Sequence, residues 1–243
     1  MKRMLSRFAL SLIFIIANNV PLQSMVLPKG DSKVSGSQNQ IIDDPEANAF
    51  VQEGLSYAIE LYGEPRISVK KVVLRYKPQG SPFTNLTDAR KGLFTIYLTH
   101  KPTEYAFYGQ LAHEIGHLLN AQLYDMYVEG LNTAFSEKLL KRADKDWSGW
   151  EQYYKDNKEP FYSSTYFMMK DVSDAAGDEA LQTLLSHAKF LPQDSQRMYI
   201  DINEWLKSLP REQRAQARKV ILNHASNVQK AMGSSAYNFM LPK

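Results

Sequence analysis

Residues 111–120 read LAHEIGHLLN. Leu111, Ile115, Leu118 and Leu119, with Phe107 one turn earlier, recur at helical spacing and mark a face to be buried. His113 and His117 lie four residues apart, so on a helix they project from one side, one turn apart, close enough to share a single ion. Glu114 is rotated by about 100° from His113, where it can hold a water against such an ion without ligating it. A cation bound to neutral imidazoles lowers the pKa of its water toward about 7. A carboxylate beside that water takes its proton and later passes it to a leaving amine. The motif alone is only moderately specific, and a solvated helix with two surface histidines is the competing reading. The flanking sequence has to decide between them.

A catalytic zinc site keeps three protein ligands and one open position. The stretch YVEGLNTAFSEKL, 127–139, offers two carboxylates: Glu129 follows His117 after 11 residues and Glu137 after 19. On a helix through 126–142, Val128, Leu131, Phe135 and Leu139 form the buried stripe. Glu129 lies on its flank, whereas Glu137 lies nearly opposite, on the expected solvent side. Glu129 is therefore the preferred third ligand and Glu137 the alternative. A turn near 120–125 would bring the second helix back beside His117, with Asp125 as its N-cap.

Around these helices the spacing predicts a flexible lead-in over 25–43, a helix from Pro45 to about Gly63, a strand over 67–76, a loop through QGSPFTNLTD and a second strand over 92–99. Pro102 and Thr103 signal the start of the HEIGH helix. From Asp125 onward the pattern predicts helices over 126–142, 164–176, 178–190, 198–208 and 211–232. Strands followed by helices argue for an α+β domain. One domain is expected over 44–243, with the sheet and active-site helix in 44–125 and a helical half in 126–243. His100, His187 and His224 lack a partner at ligand spacing, and the basic run 211–219 reads as a solvated helix face.

The N-terminus, MKRMLSR followed by FALSLIFIIANNV, has the basic and then apolar pattern of a secretory signal. The expectation is a signal peptide over 1–24, cleaved after Ser24, and an exported protein; an uncleaved anchor is the alternative. Without residues 1–24 the chain carries 26 Lys and Arg against 26 Asp and Glu, so its apparent basicity belongs to the signal and nothing suggests nucleic acid. The chain has no Cys, which leaves His, Asp and Glu as protein ligands for a metal.

HEIGH at 113–117 followed by VEGLNTAF at 128–135 resembles the gluzincin metallopeptidases, the thermolysin-like and aminopeptidase-like group of the peptidase MA superfamily. The resemblance implies a zincin-like α+β fold, Zn2+ held by His113, His117 and Glu129, and Glu114 as general base. FYSSTYFMMKDVSDAAGDEALQTLLSHA, 161–188, resembles the helix pair that follows in aminopeptidase-like members, where a Tyr opening the first helix stabilises the oxyanion. Tyr162 matches it, with Thr165 where the family often has Gly. The gap from His117 to Glu129 is shorter than in those enzymes. Thr133 stands where thermolysin-like enzymes place an Asp that orients a histidine, so Asp125 or a backbone carbonyl is expected to take that role. The expected function is an exported, monomeric zinc metallopeptidase, with a peptide or protein substrate along strand 92–99 and no membrane contact beyond the signal segment. The alternative is an inactive zincin fold serving as a binding or assembly protein.

Overall fold

Asp44 starts the first helix, α1 (Pro45–Tyr62): its side chain accepts the Ala47 N–H at 2.8 Å, and Pro45 occupies the first turn, where no N–H is missed. The structure, a computed structural model, describes residues 39–243. The expected signal segment 1–24 and nearly all of the lead-in lie outside them. The end of the lead-in adds a short strand, β1 (Gln40–Ile41).

The chain then builds β2 (Lys71–Tyr76), β3 (Phe83–Asp88) and β4 (Leu93–Leu98) in a sheet of order β1-β2-β4-β3. β2 and β4 are parallel, while β1 and β3 are antiparallel to their neighbours. The segment expected as a loop thus contains β3, a strand whose FTNLTD alternates in exposure without a strong apolar signal. Its presence moves β4 from the edge to the interior, paired on both sides. The edge strand on this side of the sheet is β3, with β1 at the other edge. Leu74, Phe94, Ile96 and Leu98 point from the sheet into the core.

Against that core lies α2 (Ala106–His117), whose Phe107, Leu111 and Ile115 are fully buried together with Leu118 beyond its end. Burial of each such side chain is worth roughly 1.5–3 kcal/mol, so the apolar face fixes how the opposite, histidine-bearing face is aimed. Pro102 and Thr103 precede the helix in a turn, and no side chain caps it.

α3 (Met126–Arg142) has the predicted bounds, and Val128, Leu131, Phe135 and Leu139 are buried as the stripe requires. The rest is less uniformly helical than expected. α4 (Ser148–Lys155) is an additional helix within an aromatic layer with Trp147 and Trp150. α5 (Pro160–Ala176) starts earlier than predicted, at its proline. The expected helix over 178–190 shrinks to α6 (Asp178–Leu181) and a 3-10 turn, and 188–200 forms a hairpin, β5 (Ala188–Leu191) and β6 (Asp194–Ile200). α7 (Ile202–Ser208) and α8 (Arg211–Met232) complete the chain.

Two glycines set the closeness of the site-bearing helices. A Cβ on Gly116 would sit 2.4 Å from Asn132 Oδ1 of α3, and one on Gly130 would sit 2.3 Å from the Thr165 backbone oxygen of α5. Gly130→Ala should therefore lower the thermal unfolding midpoint in spite of alanine's higher helix propensity, at an overpacking cost of roughly 1–3 kcal/mol. Thermal unfolding followed by circular dichroism measures this; an unchanged or raised midpoint would contradict the packing described.

Candidate metal centre

α2 and α3 are joined by residues 118–125, and this loop decides where the third carboxylate arrives. Asp125 is fully buried. Its Oδ1 accepts the Tyr127 N–H at 2.9 Å, capping α3, and its Oδ2 accepts the Ile200 N–H of β6 at 3.0 Å. Burial pushes its carboxyl up to about 7 against these two donors. With the cap fixed, Glu129 falls in the first turn of α3 and its side chain returns to α2.

There it meets both histidines. His113 Nε2 lies 3.1 Å from Glu129 Oε2, His117 Nε2 lies 3.5 Å from Glu129 Oε1, and the two Nε2 atoms are 3.2 Å apart. One ligand atom from each residue falls within 4.8 Å of the others, so the group could hold a metal ion. Glu129 is almost wholly shielded from water and the histidines nearly so. Burial opposes ionisation of Glu129, but His117 and His113 outweigh it and hold the carboxyl well below the usual range. Burial likewise works against a charged His117, and Glu129 overcomes it, raising the imidazole to about 9 in the chain alone.

Thr133, one turn beyond Glu129, orients the first histidine. Its hydroxyl donates to the Glu129 backbone oxygen at 2.8 Å, which leaves its lone pairs to accept from His113 Nδ1 at 3.3 Å. With Nδ1 donating to Thr133, Nε2 is the nitrogen left to ligate an ion. The expectation that Asp125 or a backbone carbonyl would do this is corrected: both Asp125 oxygens are engaged with backbone N–H groups, and the residue standing in the aspartate's place takes the role as a hydroxyl.

Glu114 is buried beside the pair without joining it. The Thr84 hydroxyl of β3 lies 2.9 Å from its Oε2 and 2.7 Å from its backbone oxygen. Burial raises its pKa, with the two imidazoles pulling the other way. Tyr162, in the first turn of α5, sets its ring edge-on to His113 at a centroid distance of 5.5 Å. Burial and the charge of Glu129 keep its phenol protonated far above neutral pH.

Glu137 stands two turns further along α3 and takes no part. It is buried rather than on the solvent side, receiving the Tyr166 hydroxyl at 2.7 Å and Lys141 Nζ at 2.6 Å, with Lys170 Nζ at 3.3 Å. His224 pairs with Asp171 at the surface and His100 contacts Thr99. Among the described residues no other group of His, Asp and Glu is arranged to hold an ion.

The sequence reading missed Tyr237. The segment after α8 runs back along the α2–α3 loop, where the Asn238 N–H donates to the Tyr124 oxygen at 3.0 Å and the Met126 N–H donates to the Asn238 oxygen at 2.9 Å. Tyr237 is thereby packed between Phe161 and Tyr124. Burial, then the Glu129 carboxylate, push its phenol up. No spacing rule links a tyrosine in a non-helical tail to a helix more than a hundred residues earlier.

Comparison with protein-family models, curated proteins and solved structures finds no match to this chain. Its chemistry has to be argued from the arrangement itself.

Thr133→Val keeps the shape and removes the acceptor for His113 Nδ1–H. An orphaned buried donor costs about 1–3 kcal/mol, so the variant should unfold at lower denaturant, and Thr133→Ser should recover most of the loss. Equal stability of the Val and Ser variants would remove Thr133 from this role.

Proposed function

We propose that this chain is a zinc-dependent metallopeptidase with a zincin-like architecture: a small sheet, an active-site helix carrying HEIGH and a second helix returning the glutamate. The observation that carries the reading is the triangle of His113 Nε2, His117 Nε2 and the Glu129 carboxylate: the nitrogens are 3.2 Å apart, the first 3.1 Å from Oε2 and the second 3.5 Å from Oε1. An ion with ligands at 2.0–2.1 Å in tetrahedral array separates them by roughly 3.3 Å. Two imidazoles and a carboxylate are a donor set that suits zinc, and the Nδ1 contact with Thr133 is the outer support such ligands normally have. When bound, zinc would make a water acidic near neutral pH and polarise a carbonyl.

The remaining work falls to the chain. Glu114, outside the triangle and raised by burial, accepts the proton of the attacking water and delivers it to the leaving amine. Tyr162 stays protonated and is the candidate donor to the oxyanion, and Tyr237 offers a second phenol near Glu129. A peptide backbone pairs with a free strand edge. That edge is β3 rather than the interior β4, and Thr84 joins it directly to Glu114. The N-terminal pattern supports export. An inactive zincin-like binding protein is the second reading, and a buried Glu114 whose only hydrogen-bonding side chain among the described residues is Thr84 argues against it, since a purely structural site has no use for such a base.

Metal analysis of the gently purified protein should find one zinc per chain, kept by Glu137→Ala and lost by Glu129→Ala. Glu114→Gln should keep the zinc and lose peptide cleavage by about 100-fold or more. Absence of zinc from the wild type would end the metal reading; unchanged cleavage in Glu114→Gln would end the enzymatic one.

The pH dependence of zinc binding follows from His117. Its folded pKa is raised from 6.5 to about 9, so below pH 9 zinc binding has to displace its proton. Apparent affinity should rise about tenfold per pH unit between pH 6 and 8 and level off above about 9. Chelator competition across this range measures the slope, and a flat profile would contradict a proton on His117.

A further inference from the structure

We propose that the free edge of β3, with the cations gathered at its two ends, binds an extended acidic peptide. Residues 66–101 carry eight Lys and Arg against a single acid, Asp88, although the chain without residues 1–24 is balanced. These cations are concentrated around β3. At its far end, Arg90 and Lys91 form the turn into β4, and the backbone N–H groups of Lys70 and Lys71 both donate to the Gly92 oxygen, at 2.9 and 3.1 Å. Four exposed cations therefore surround one turn, where Asp88 accepts the Arg90 and Lys91 backbone N–H groups and pairs with one cationic side chain, Lys91, at 3.4 Å. At the near end, Lys77 Nζ stands 4.9 Å above the exposed Phe83 ring.

Several lysines elsewhere are paired with acids. Lys138, Lys141, Lys145 and Lys189 each lie within 2.6–2.8 Å of a carboxylate. Among the described residues, none of Lys70, Lys71, Lys77 and Arg90 has a carboxylate oxygen within 4.0 Å. Unpaired like charges repel one another, and an anionic partner would relieve that repulsion.

The edge itself points to the form of that partner. Exposed edge strands are usually blunted by proline, lysine or short length. β3 is six residues long, carries no proline or basic residue, breaks register between Leu86 and Asp88 and has no second strand partner among the described residues. A strand added there would gain main-chain hydrogen bonds. Its acidic side chains would meet the four-cation turn about four residues, or roughly 14 Å, along from Thr84, which itself touches Glu114. In the peptidase reading, on which this inference rests, the cations select substrates with acidic residues displaced from the bond to be cut.

The test uses the full chain carrying Glu114→Gln, so that the probe survives, and a fluorescein-labelled octapeptide of alternating Glu and Val beside its Gln and Val counterpart. Fluorescence anisotropy at low ionic strength should show the Glu peptide binding about tenfold more tightly, with the preference fading as salt is added. Lys70→Glu with Arg90→Glu should abolish the preference while leaving the Gln peptide's affinity unchanged. Equal affinities, no binding of either peptide, or a preference that survives charge reversal would each overturn the proposal. So would phosphatidylglycerol vesicles that sediment the parent chain but not the charge-reversed one, without discrimination between peptides. Zinc content and wild-type cleavage, measured separately, report on the peptidase reading whatever the anisotropy shows.

Discussion

Asp125 ties together segments that the sequence keeps far apart. One oxygen begins α3 and the other holds β6, 75 residues later, while its neighbours Tyr124 and Met126 hold the C-terminal tail. A helix turns by about 100° per residue, so a shift of one residue in where α3 begins would swing Glu129 away from the histidines. A carboxylate suits this position because it accepts from two backbone donors at once, and those donors offset part of the cost of burying it. The close approaches at Gly116 and Gly130 depend on the same start point, because both are set by the phase of α3 against its neighbours.

Within the frame so fixed, two buried carboxylates have opposite surroundings. Glu129 faces both imidazoles and is held in its charged form; at Glu114 burial outweighs the imidazoles and the Thr84 hydroxyl, and its charge is disfavoured. Environments that drive two acids apart in this way divide their roles, one to hold positive charge and one to exchange protons. Tyr162 and Tyr237 are pushed in the same direction as each other by burial and by the carboxylates, so both remain hydrogen-bond donors at any ordinary pH.

The site was more legible in the sequence than the fold around it. His113, His117 and Glu129 follow from helical periodicity, since their placement depends on two helices with strong apolar stripes and one short loop. The surroundings of Glu137 were misjudged: a stripe analysis sends it to solvent, whereas Tyr166, Lys141 and Lys170 enclose it. β3 was missed because an edge strand with one half-open face needs few apolar residues. The β5–β6 hairpin was missed because AKFL and DSQRMYI gain their strand form from each other and from the loop before α3, which is tertiary pairing rather than local preference. Tyr237 depends on the same long-range return of the chain.

The hydroxyl behind His113 has a consequence for the chemistry of any cation in the cluster. A carboxylate in that place would lend the imidazole negative charge and make it a stronger donor. Thr133 aligns the ring but lends almost none. A divalent ion there would be neutralised by Glu129 alone among its ligands and would keep more of its own charge. Such an ion would grip a water's oxygen harder and be itself gripped less, so the arrangement would trade retention of a metal for acidity of the water it binds.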